Sequence, residues 1–98
     1  MAIKGLNKAA GQLFNAQKSS VEATKKTGNG LDTASRAAQT LSVTGTEKEE
    51  DLNTRKEAEK TLSTGLQTAA AGLSGISTAG TRTQNALQNL TSDTKVSS

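Results

Sequence analysis

At 98 residues and net charge +3, with one Phe, one Met and no His, Cys, Trp or Tyr, the chain lacks the usual general base, the thiolate nucleophile and the soft or imidazole ligands of structural zinc. This argues against an enzyme, a metal site or any other cofactor, and so few large apolar side chains can bury little core without a partner. The charge is mild, six Lys/Arg against Glu22 and Asp32 over residues 1–45 and six against seven acids over 46–98, and it gives no nucleic-acid footprint.

In chain order, the first predicted helix runs from Ala2 to about Thr27, with Lys25 and Lys26 near its negative end and Gly28 as a left-handed stop. Asn29 then caps a second segment, Leu31 to about Val43, which stops at Gly45. In "TGTEKEED", Thr46 and Glu49 have capping-box spacing, and Glu47, Glu49, Glu50 and Asp51 crowd the first turn, where the helix dipole favours acids. A long helix therefore starts near Glu47, supported by an Asp51–Arg55 pair four residues apart and uninterrupted by proline. The run Glu47, Glu49, Glu50, Asp51, Glu57 and Glu59 reads as a solvated helix face, not a paired acid/base site. The chain is thus one helical unit: an arm over 2–43, a turn over 44–46, an arm over 47–91 and a polar tail over 92–98.

Two arms of similar length about a short turn predict a long antiparallel hairpin. Facing positions then have numbers adding to about 89, with Leu41 and Leu52 near the turn and Leu13 near Ile76. The turn keeps the heptad phase, so a single continuous helix is the alternative.

That phase is the strongest signal. With Ile3 at position a, all ten leucines, at 6, 13, 31, 41, 52, 62, 66, 73, 87 and 90, fall at a or d, as do Ile3 and Ile76. Chance gives such a pattern a likelihood on the order of one in a million. Eleven of the fourteen g positions, from Ala2 to Asp93, are Ala or Gly, which lets another backbone come close. Phe14 and Val21 fall at e and widen the apolar stripe, while b, c and f are polar. An ordinary amphipathic helix drifts about 20° per heptad from a strict seven-residue repeat, so the strict repeat points to coiled-coil packing.

Polar residues interrupt the a/d seam at Gln17, Ser20, Thr24, Thr27, Lys48, Arg55 and Glu59, which leaves a lone hairpin marginal. Gln67 to Leu90 carries one charge, Arg82, in 24 residues and reads as a surface buried against copies of the same chain. The expected assembly interface is Leu62, Leu66, Ala69, Gly72, Leu73, Ile76, Gly80, Leu87 and Leu90. The fold class is all-α, a long antiparallel helical hairpin with coiled-coil heptads assembling into a helical filament.

The absence of cysteine fits a reducing cytosol or a secreted protein without disulfides. No apolar run approaches 18 residues, so no membrane span is expected, and the start "MAIKGLNKAAGQLF" lacks the pattern of a cleaved signal peptide.

The mix of Ala, Ser, Thr, Gln, Asn, Gly and Leu with almost no aromatic residue and no Cys resembles type III secretion filament proteins, chiefly the Hrp pilins of plant-associated bacteria. The stretches "IKGLNKA" and "GNGLDTASRAAQTL" are similar in texture to the helical, filament-forming ends of flagellins. The resemblance lies in character across the whole chain, with no diagnostic motif. It departs from short needle subunits, which carry a proline-containing turn and aromatics. It implies export unfolded through a secretion apparatus without a cleaved signal peptide, then polymerisation at the cell surface into a hollow extracellular conduit for exported proteins. The weakly charged C-terminal helix would line the bore, with the more basic N-terminal arm outward.

Other readings start from the same composition. A late-embryogenesis-like stress protectant shares the Ala/Lys/Glu/Thr/Gly bias and would be disordered in water, but such a chain has little need of every leucine in one seam. A cytosolic coiled-coil adaptor fits the heptads and explains the charge-poor C-terminal stretch less well. A membrane-surface helix would need a Lys/Arg-rich face opposite bulky apolar residues, which only Ile3 to Val21 approaches.

Overall fold

The computed structural model describes residues 2–97, with side chains over 5–95, so the side chains of the expected seam residues Ala2 and Ile3 lie outside the described residues. Two helices make the fold: α1, Ala2–Val43, and α2, Glu49–Ser97. No strand occurs among the described residues. The chain divides into two compact units, one of Met1–Thr24 with Ser74–Ser98, the other Lys25–Leu73.

In each unit a stretch of α1 lies against a stretch of α2. In the first, Gly5 faces Asp93 and Ala23 faces Gly75; in the second, Thr27 faces Gly72, Gly30 faces Ala69, and Ala34 faces Gly65. Each pair of numbers adds to 98 or 99, so the helices run antiparallel in both units, and the protein is an all-α helical hairpin. The register differs from the expected value near 89, and Leu13 is not set against Ile76. The cause is at the turn: the connection spans 44–48, and the first turns of α2 reach past the end of α1, where Arg55 meets Leu41 and Thr44.

Three local expectations change with it. The helix does not stop at Gly28, and no described residue has a positive φ. Gly30 supplies the reason, because its bare backbone packs on that of α2 and holds this stretch helical; the glycine serves close approach, not termination. The tail beyond residue 91 is helical to Ser97. Thr91 and Thr94 donate to the carbonyls of Leu87 and Leu90, and Asp93 packs over Gly5 of α1. At its other end α2 opens at Glu49, not Glu47. Leu52 N–H donates to Lys48 O at 2.9 Å, which makes Lys48 the N-cap and leaves Thr46 outside the helix. Glu49, Glu50 and Asp51 still occupy the first turn.

The expected Asp51–Arg55 pair is replaced by a cross-helix cap. Arg55 Nη1 donates to Leu41 O at 2.8 Å and Thr44 O at 3.0 Å, satisfying carbonyls left without amides where α1 ends. The last turn of α1 has no basic residue of its own, so Arg55 also brings positive charge to its negative end. Asp51 turns toward Gly45 instead.

The hairpin seam runs along g and d, not a and d. Among the described residues the buried apolar ones are all alanines: Ala9, Ala16, Ala37, Ala58, Ala79 and Ala86 at g, with Ala34 and Ala69 at d. Gly30, Gly65 and Gly72 at g and Thr27 at d are buried with them. An added Cβ at Gly30 would meet Ala69 N at 2.5 Å and Gly65 O at 2.6 Å, and one at Gly65 would meet Ala34 N and Gly30 O, both at 2.8 Å. Around these glycines backbone packs on backbone. Each buried Ala methyl contributes only about 0.8 kcal/mol, so the seam depends on closeness more than on apolar volume.

Candidate assembly surface

Moving the seam to g and d divides the leucines into two sets. Those at d, Leu6, Leu13, Leu41, Leu62 and Leu90, are half-buried with Ile76 along the edge of the seam. Those at a, Leu31, Leu52, Leu66, Leu73 and Leu87, keep 48 to 59% of their surface in solvent. At 100° per residue, a sits about 90° from the middle of a d/g seam, so the small residues take the buried side and the a leucines stay outside.

Within each unit the antiparallel pairing puts the a columns of the two helices on the same side of the seam. Grooves on the opposite side are lined from both helices by c, f and g residues with one b. In the second unit these are Arg36, Ala37 and Thr40 with Asn53, Thr54, Glu57, Ala58 and Thr61; in the first, Gln12, Asn15 and Ala16 with Arg82, Asn85, Ala86 and Asn89. Asn89 Nδ2 donates to Gln12 Oε1 at 3.2 Å across the latter. The a and e columns therefore share the other side. In the second unit these columns hold exposed Leu31 and Ala38 of α1 and exposed Leu66 and Leu73 of α2, with Leu52, also exposed, on the part of α2 that extends past the end of α1. In the first unit Phe14, Val21 and Leu87 of these columns are exposed. Leu62, Leu66 and Ala70 also line a shallow apolar groove with Glu59, Ser63 and Gln67.

The expected interface residues are thus separated. Leu66, Leu73, Gly80 and Leu87 are exposed, and Leu62, Ile76 and Leu90 are half-buried. Ala69 and Gly72 are buried inside the hairpin, Gly72 directly against the Thr27 backbone and hydroxyl, and are not open to a second copy. The small residues at g serve the contact between α1 and α2, where Gly30, Gly65 and Gly72 let the backbones approach. The exposure of Phe14 and Val21 at e was the signal that the apolar stripe was too wide for one partner helix.

The polar side offers little chemistry. Its threonines are occupied with their own helices: Thr40, Thr54 and Thr61 each donate to the carbonyl four residues earlier. The ion pairs Arg36–Asp32 and Lys60–Glu57 are exposed and lie within single helices. Among the described residues no three His, Cys, Asp or Glu side chains gather as a metal site, and no helix is long and apolar enough to cross a membrane.

The fold is an all-α helical hairpin with a backbone-close, small-residue seam, and in each unit leucines at a stay exposed. No protein-family model, curated protein or solved structure matches the chain.

Proposed function

We propose that this protein is the structural subunit of a homopolymer, a secreted helical filament in which hairpins dock through their leucine faces. The observation that carries the reading is the a column of the second unit, where Leu31, Leu52, Leu66 and Leu73 stay about half exposed although every small residue needed for the hairpin is already used. Covering them offers about 1 kcal/mol per half-exposed leucine. The area available agrees: the chain exposes 7038 Å², whereas a compact monomer of its 10.0 kDa exposes about 5,200 Å². That excess is larger than the roughly 800 Å² each partner contributes to a standard interface.

A filament explains both features together. Subunits that repeat along an axis need a continuous adhesive face, and a charge-poor stretch from Gln67 to Leu90 avoids like-charge repulsion where many copies converge. The resemblance to type III filament proteins extends the reading to export unfolded through a secretion channel and to a tube through which other proteins leave. A seam held by small residues, without disulfide or metal, suits a chain that must unfold for passage and refold outside. The test is sedimentation of the purified protein beside Leu66→Ser/Leu73→Ser. The parent is expected to pellet as polymer and the double variant to stay in the supernatant with unchanged helicity. Equal pelleting would overturn the leucine-face interface.

A further inference from the structure

The turn that closes the hairpin is also compatible with helix. Residues 44–48 contain no proline, and none of them, Gly45 included, has a positive φ. The heptad continues unbroken through them: Thr44 and Asp51 fall at g, and Lys48 and Arg55 at d. A hairpin loop has no need to keep that phase; a helix running through does. Arg55 is the third element. The carbonyls of Leu41 and Thr44, which a continuing helix would pair with the amides of Gly45 and Lys48, accept from the Arg55 guanidinium instead. Arg55 thus stands in for the helix bonds that the turn breaks.

We propose that the hairpin opens through residues 44–48 into a continuous helix and exchanges arms with a second copy of the chain, α1 of each copy packing on α2 of the other. The constant register makes the exchange conservative. Gly30 meets Ala69, Ala34 meets Gly65 and Thr27 meets Gly72 whether the partner arm belongs to the same copy or the other. Continued through the former turn, pairs adding to 99 set Lys48 of one copy against Asp51 of the other, twice by symmetry, and Thr44 against Arg55. Opposite charges thereby meet at the centre of the exchanged seam. The monomeric hairpin holds the advantage of intramolecular pairing, so exchange grows with concentration. The leucines at a stay exposed in both forms, so arm exchange stands independently of the filament reading.

The experiment uses the full chain carrying Asn29→Cys and Gln67→Cys, both exposed positions, labelled with nitroxides and refolded in excess unlabelled protein at low and high concentration. Pulsed dipolar spectroscopy then reads the distance within a chain. The hairpin gives a short distance; a continuous helix between these sites gives about 57 Å at 1.5 Å per residue. The long distance is expected in a species of dimer mass that increases with concentration. Arg55→Leu should raise the exchanged fraction about tenfold by removing the cap. Glu49→Pro should lower it on the order of a hundredfold, because proline is tolerated at the first position of α2 but not inside a continuous helix. Lys48→Glu sets carboxylates face to face at the exchanged centre and should also lower it, which keeps the test decisive should Arg55→Leu fail to fold. A short distance alone at every concentration would overturn the proposal, whether the chain sediments as monomer or polymer. Polymer with only the short distance would leave leucine-face docking standing and remove arm exchange.

Discussion

Gly28 and Gly30 lie two residues apart in α1 and give the sharpest test of the close seam. Replacing either with alanine brings the same gain in helix propensity, about 1 kcal/mol. At Gly28 the new methyl meets nothing within 4 Å, so the gain should appear in full. At Gly30 it would lie 2.5 Å from Ala69 N, 2.6 Å from Gly65 O and 3.0 Å from Ala69 Cα. These are backbone atoms, which cannot rotate away, and ordinary contact is about 3.5 Å, so the helices must part by up to about 1 Å. Overpacking of this kind costs about 1–3 kcal/mol, which cancels or outweighs the propensity term. The two variants should therefore differ by about 2 kcal/mol, or about 10 °C in Tm at 4–8 °C per kcal/mol. Thermal and urea unfolding followed by far-ultraviolet circular dichroism measures it. If Gly30→Ala raises Tm as much as Gly28→Ala, the backbone contact at Gly30 does not exist and the seam argument fails.

The register gives a second expectation: Ala23→Cys/Gly75→Cys should form an intrachain disulfide once the helices part by about 0.5 Å, since a Cβ on Gly75 would lie 3.0 Å from that of Ala23, just inside disulfide spacing, whereas Leu13→Cys/Ile76→Cys should not. Non-reducing electrophoresis of dilute, oxidised protein distinguishes them. Gly72→Leu should cost helicity in the monomer, because the side chain must enter space held by the Thr27 backbone; a fully helical monomer that merely fails to polymerise would return Gly72 to the outer surface. Asp32→Asn should change stability by less than about 0.5 kcal/mol, as its partner Arg36 and the carboxylate are both largely solvated, and a larger loss in urea unfolding would show that the ion pair does more than decorate α1.

The helical arms and their pairing could be read from the sequence because strict heptads and a proline-free chain leave little else to form. The choice of seam could not. Leucines at a and d are the expected knobs of a coiled coil, yet a column of Ala and Gly beside them allows a closer approach that a/d packing would prevent, and burial followed distance, not side-chain size. Gly28 and Gly30 look alike as sequence punctuation; only their positions against α2 show one open to solvent and the other pressed on Ala69. The same limit applies to Arg55, whose spacing suggested a pair with Asp51 within α2. Its contact with the end of α1 depends on the register across the turn, which local sequence does not encode. Of the expected interface, Leu66, Leu73 and Leu87 were legible as apolar positions, while the burial of Ala69 and Gly72 was not.

The proposed role as a polymer subunit rests on the leucines that a small-residue hairpin leaves exposed. Electron microscopy of the purified, concentrated protein tests it most directly. Uniform long filaments, lost in Leu66→Ser/Leu73→Ser, are the predicted result; dispersed particles at high concentration, with the sedimentation of a monomer, would contradict it.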